Sequence, residues 1–302
     1  MQQFRTDMAR EALARFTELA GVEEHCEQKD GISVSRIRIT SEESADRLGK
    51  PVGNYITLEV LEDIAAKSDA LIACIAGELT TLFEAVRGHV LVVGLGNRDI
   101  TPDSLGPRTV EKVFVTRHIR AFVPELAPAD MRDVSAIVPG VLGVTGLETV
   151  EVVQGVIENV RPEAVLCVDA LCSERAERIT DVVQINDSGL LPGAGVGNRQ
   201  QGLNRETLGV PVYAIGVPTV VYASAIAAET IRLIEQKTGV ADEKSSLSAF
   251  AQELIEQNMG EMIVTPKDVD KLVEDASRRL AMGINHALHQ RHYDELHALL
   301  VN

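Results

Sequence analysis

The 302-residue sequence has no tryptophan, 3% aromatic residues and four cysteines. With aromatics so scarce, Val, Ile, Leu and Ala must supply the apolar volume of any core. Cys26, Cys74, Cys167 and Cys172 form no CxxC pair. So few cysteines in so long a chain suit a reducing compartment and no disulfide framework. Cys74 and Cys167 lie inside apolar runs and read as buried thiols. The first residues lack the apolar stretch of a secretory signal. No apolar run approaches the roughly 18 residues of a membrane span. Together these predict a cytoplasmic protein. Positive charge is also short: 29 Lys and Arg stand against 45 Asp and Glu, a net charge of −16. A surface of that sign repels phosphate backbones and anionic lipids, so nucleic acid and membranes are not expected partners.

What is present is ordinary for a folded chain: 45% hydrophobic and 25% charged residues. Residues 8–19 place Ala9, Ala12, Leu13, Phe16 and Leu19 on one helical face, with Asp7 positioned as N-cap and Gly21 as stop. Strict alternation over 32–39 predicts a half-exposed strand, and 54–60 a second. Residues 62–87 read as mostly helical. Four short apolar runs follow, at 89–95, 134–138, 164–168 and 212–217. Helical stretches lie between or after them at 105–118, 148–160 and 223–236. This alternation predicts a mostly parallel α/β sheet sandwiched by helices. A further strand is expected over 179–185, then a long Gly-rich loop over 187–204. A polar connection over 239–246 and helices over 247–258 and 266–288 complete the reading. The organisation is an N-terminal α/β part (8–88), an α/β core (89–238) and a helical tail (239–302).

Ligands of parallel α/β sheets gather beyond the carboxyl ends of the strands. Two of the four apolar runs supply a carboxylate there, Asp103 and Asp169. Asp169 ends a strand expected to be buried, where a lone charge is costly. Each also has a structural reading as a helix cap. If the two meet, they must share a proton, because adjacent carboxylates cannot both ionise. One then takes a proton from water and the other donates to a carbonyl, which is general acid–base hydrolysis.

Other patterns carry less. Gly94-Leu95-Gly96 follows a strand, but Asp99 stands where a dinucleotide fingerprint needs its third glycine. Gly193–Gly197 lacks the Lys-Ser/Thr of a phosphate loop. His286, His289 and His292 share one helix face but complete no zinc pattern, so a solvated face is expected. No GxSxG elbow surrounds any serine, and no histidine stands in the motifs near Cys172.

At this point several strings match together. They are GLGN and TPDSLGP within 94–107, VTRH at 115–118, PGVLGVTGLET at 139–149, and AVLCVDAL at 164–171. Further along come QINDSGLLPGAGVGN at 184–198, ETLGVPVYAIGVPTVV at 206–221 and MIVTPKDVD at 262–270. The chain resembles the germination proteases of spore-forming bacteria over nearly its whole length. The resemblance implies an endopeptidase of atypical aspartic type that degrades small acid-soluble spore proteins in the spore core. It implies Asp103 and Asp169 as the catalytic pair, no cofactor, and a core like that of hydrogenase-maturation peptidases. It implies a homotetramer made as a zymogen with autocatalytic processing after Arg5-Thr6-Asp7. Residues 1–7 would then be a propeptide and Met8 the new N-terminus of a peptidase domain over 8–302. Asp7-Met8-Ala9 offers an acidic, an apolar and a small residue around that bond. Three positions depart from the family pattern: Tyr222 replaces an acidic residue, Arg98 replaces an aromatic one, and the piece before Met8 is short. One alternative is a metal-dependent peptidase using the same carboxylates as ligands. The VLVVGLGN string is also similar to the start of peptidyl-tRNA hydrolases, which the acidic charge opposes.

Overall fold

The computed structural model describes residues 6–190, 201–238, 259 and 262–300. The elements run α1 (Ala9–Leu13), β1 (Val22–Lys29), β2 (Ile32–Ile39), α2 (Glu42–Leu48), β3 (Gly53–Val60) and α3 (Ser68–Leu82). Then come β4 (Val90–Gly94), α4 (Leu105–Val110), α5 (Arg117–Phe122), β5 (Val134–Ile137), α6 (Leu142–Thr145), α7 (Thr149–Val160), β6 (Ala164–Ser173) and β7 (Val182–Asn186). The chain closes with α8 (Arg205–Leu208), β8 (Val212–Tyr222), α9 (Ala223–Thr238), β9 (Ile263–Val264), α10 (Val269–His289) and α11 (Tyr293–Leu300).

The strands form one sheet in the order β1-β2-β3-β7-β8-β6-β4-β5, with β9 on β8. Only β5, β4, β6 and β8 pair in parallel. All other pairings are antiparallel, so the sheet is mixed and not mostly parallel as expected. The reason lies in the connections. A parallel pair needs a long crossover: α4 and α5 lie between β4 and β5, and α6 and α7 between β5 and β6, whereas β1 turns into β2 across two residues. Tyr55–Glu59 of β3 pair antiparallel with Val182–Asn186 of β7, which makes the N-terminal strands continuous with the core sheet.

Helices cover both faces. On one, Leu71, Ile75 and Leu79 of α3 and Val273, Leu280 and Ile284 of α10 pack on Val90, Val92, Leu166 and Ile215. On the other, Val150 and Val153 of α7 and Leu208 of α8 meet Leu91, Val93, Val165 and Cys167. Asn285 ties α10 to the loop after α4: its Oδ1 accepts from Phe114 N–H at 2.8 Å and its Nδ2 donates to the Lys112 carbonyl at 3.0 Å.

Several expectations change. The helix expected over 8–19 stops after one turn, at Leu13. Beyond it, Arg15 pairs with Glu174 and Phe16 lies under the Arg47 guanidinium, contacts the 8–19 pattern does not encode. Asp7 caps nothing; the N-cap is Met8, without a side-chain bond. Strand β2 is mostly buried where alternation suggested a half-exposed one, because its second face is also covered. Strand β1 has no apolar alternation and forms by pairing with all eight residues of β2. The connection expected over 239–246 and the helix over 247–258 lie outside the described residues, as does 191–200 of the Gly-rich loop.

Candidate active site

The carboxyl ends of β4, β6 and β8 open on a cavity of about 680 Å³. Both sequence-predicted carboxylates, Asp103 and Asp169, line it. They arrive from different directions. Asp169 sits inside β6, paired with Gly216 of β8, and is 8% exposed. Its Oδ1 accepts the Ala170 N–H at 2.9 Å. Asp103 ends a 3₁₀ turn, Thr101–Asp103, that follows β4.

The structural reading of Asp103 as a helix cap does not hold. Ser104 occupies the N-cap of α4 with no side-chain bond to it. The Asp103 carboxyl instead turns back to accept Asn97 N–H at 2.6 Å. Gly94 and Gly96 explain this hairpin of chain. A Cβ on Gly94 would stand 2.5 Å from the Gly106 carbonyl oxygen, and one on Gly96 2.0 Å from that of Asp103. Gly96 also has φ +109°, which L side chains rarely adopt. The paired glycines therefore serve close approach of the Asp103 turn and α4 to the strand end, where the sequence resembled a weak nucleotide fingerprint.

Burial pushes the Asp103 carboxyl above its ordinary range, with the Asn97 N–H pulling the other way. Asp169 is held well above that range, by burial first, then by the Asp103 charge and the Asp7 charge. Asp169 therefore responds to the charge on Asp103.

Of Asp7 and Met8, the expected processing site, Asp7 reaches the same place. Asp7 lines the cavity, and Met8 is fully buried. Asp7 N–H donates to the Cys172 carbonyl at 3.0 Å, and the Asp7 carboxyl accepts Cys172 N–H at 2.8 Å. Gln184 brackets the Asp7–Met8 bond: its Nε2 donates to the Asp7 carbonyl at 2.6 Å and its Oε1 accepts Ala9 N–H at 2.6 Å. Lys50 Nζ donates to the Thr6 carbonyl at 2.9 Å. Glu11, 4% exposed, anchors the following turn by accepting from Ser173 Oγ, Glu174 N–H and Arg178. Burial raises the Asp7 carboxyl and lowers the Lys50 ammonium from their usual ranges, while the charge of each works against the shift of the other.

Sequence reasoning missed Lys50 and Gln184. Gln184 had a usable signal: it is a polar residue inside the buried run VVQIN, which is costly unless a partner waits for it. Lys50 had none, since it follows a helix cap glycine on the surface of the sequence pattern.

The other candidates sit elsewhere. The three histidines do not converge on a solvated face. His289 is 3% exposed, contacts the Phe114 carbonyl and is pushed down to about 4 by burial. His286 stacks on Tyr293, and His292 contacts Asp130. The Cys172 thiol is raised to about 12, chiefly by burial, which keeps it protonated. Tyr222 is buried in an apolar cluster with Cys172, Ile179 and Val220, and Arg98 pairs with Glu111 at the surface.

The family model described as germination protease matches residues 2–248. A germination protease of Caldanaerobacter subterraneus is 41% identical, over 94% of each chain. Those of Clostridium tetani and Bacillus cereus are 38% and 37% identical, over 94% and 95% of this chain and 95% and 94% of theirs.

Proposed function

This chain belongs to the germination protease family, and from that premise we propose how it works and on what. It is a peptidase. In our reading it is an endopeptidase of atypical aspartic type that opens small acid-soluble spore proteins in the cytoplasm of the spore core. The observation that carries the mechanism is the convergence of Asp103 and Asp169 on one cavity, each carboxyl raised toward its protonated form.

In this mechanism the pair shares one proton. The ionised member takes a proton from water as its oxygen bonds to the peptide carbonyl carbon. The protonated member donates its proton to the carbonyl oxygen. When the tetrahedral adduct collapses, the C–N bond breaks, the nitrogen leaves as an amine with a proton from the pair, one hydroxyl of the adduct returns its proton to the pair, and a carboxylic acid remains. The pair ends with one proton, ready for a second turnover. Gln184 aligns the chain to be cut through the carbonyl of the bond, on Asp7, and the N–H of Ala9, one residue beyond Met8.

The seating of Asp7 in the cavity of the pair supports a zymogen that cuts itself after Asp7, releasing residues 1–7. A homotetramer and a core akin to hydrogenase-maturation peptidases belong to the same reading; the four parallel strands around β6 are compatible with the latter. The metal-dependent alternative needs further ligands, and among the described residues no three His, Cys, Asp or Glu gather to hold an ion.

The test is incubation of the purified chain with a small acid-soluble spore protein, with and without a strong chelator. Fragments ending after an acidic residue, at equal rates in both, are expected. No cleavage would overturn the reading, and cleavage abolished by chelation would replace it with the metal alternative.

A further inference from the structure

We propose that Lys50 and the Cys172 N–H form the subsite that reads the acidic side chain preceding the cut bond; this rests on the processing reading above. The Asp7 side chain enters the cavity that Asp103 and Asp169 line. A third carboxylate brought beside two buried acids is repelled by them unless a cation compensates. Among the described residues, Lys50 is the one basic side chain lining that cavity.

The contacts give Cys172 and Lys50 separate parts: the first bonds the Asp7 carboxyl, the second the Thr6 carbonyl beside it. Cys172 belongs to β6, three residues beyond Asp169, so its N–H is placed by the same strand that places the catalytic carboxyl. That N–H meets the Asp7 carboxyl at 2.8 Å, while the Cys172 carbonyl takes the Asp7 N–H at 3.0 Å. One residue of β6 thus holds both the backbone and the side chain of the acidic residue. Lys50 is delivered by the turn after α2, whose C-cap Gly49 has φ 65°. Its ammonium donates to the Thr6 carbonyl, one peptide before Asp7. It therefore sets the position of the segment and supplies the charge that the acidic side chain needs. An amide in place of the carboxylate would lose the charge-assisted bond to Cys172 N–H and leave the ammonium uncompensated.

Any substrate of the same site would occupy this seat once residues 1–7 have left.

A double-mutant cycle on the full chain tests this, with the rate of appearance of the fragment beginning at Met8 read by mass spectrometry. Asp7→Asn in the native background is expected to slow the cut about tenfold or more. In the Lys50→Met background the same change is expected to slow it less than about threefold, since the discriminating charge is gone. Lys50→Arg is expected to restore the native ratio. General damage to the fold by Lys50→Met lowers both members of its pair equally and leaves the ratio readable. An Asp7→Asn penalty of equal size in both backgrounds would overturn the role of Lys50. No Met8 fragment from the native chain would overturn the processing reading, and this inference with it.

Discussion

At the scale of the residue, Asp169 is a carboxyl that the fold prefers without its charge. Burial is the first cause and neighbouring acids add to it. The sign of the consequence follows by linkage. A carboxyl raised in the folded state adds stability that is intact below about pH 4, the unfolded value, and is lost as pH rises through the folded value. Asp7 and Asp103 shift in the same direction, so their contributions fade over the same side. Asp169→Asn, which removes the charge at nearly constant shape, is therefore predicted to melt a few degrees above the native chain at pH 8. The gap should narrow as pH falls toward 4. Thermal melts across pH check this; a variant melting below the native chain at pH 8 would contradict it.

The element scale concerns what brings the residues together. The turn after β4 reaches the cavity only because Gly96 allows backbone contact with Asp103. Gly96→Ala is predicted to cost more than about 1 kcal/mol and to reduce cleavage, because the Asp103 turn must move. Melting and turnover should fall together, and native turnover in this variant would contradict the geometry. Asn285→Ala leaves Phe114 N–H buried without its acceptor and should cost about 1–3 kcal/mol, readable in denaturant titration, with the cavity intact. The same scale shows what sequence can carry. The apolar runs that became β4, β6 and β8 were legible because both faces of those strands are buried, while β5 is only partly so. Asp103 and Asp169 were legible because each follows or ends such a run. Strand β1, with seven exposed residues of eight, encodes its pairing in β2 and not in itself. The direction of β3 and β7 escaped for a related reason: a buried apolar strand looks alike in parallel and antiparallel pairing.

At the scale of the whole molecule, the segment before α1 reaches the end of β6 and the middle of β7, far away in sequence. Contacts 165 and 177 residues apart tie Asp7 to Cys172 and Gln184. No local pattern announces such pairing, which is why Asp7 read as a helix cap. The chain thus has its own acidic-apolar-small sequence seated where a substrate is expected, on a molecule with net charge −16. Among the described residues, no helix is long and apolar enough to cross a membrane. Raising ionic strength is predicted to speed cleavage of acidic substrates, since screening weakens their repulsion by the whole surface. Rates that fall with salt would contradict that expectation.

The joint action of Asp103 and Asp169 is tested most directly by turnover of Asp103→Asn, Asp169→Asn and the double variant on one spore protein. Each single change is predicted to lower the rate about 10²–10⁴-fold, with the fold retained. The double variant is predicted to be no slower than the worse single one, because two groups sharing one proton act as a unit. Substantial activity in either single variant, or losses that multiply in the double, would contradict the account.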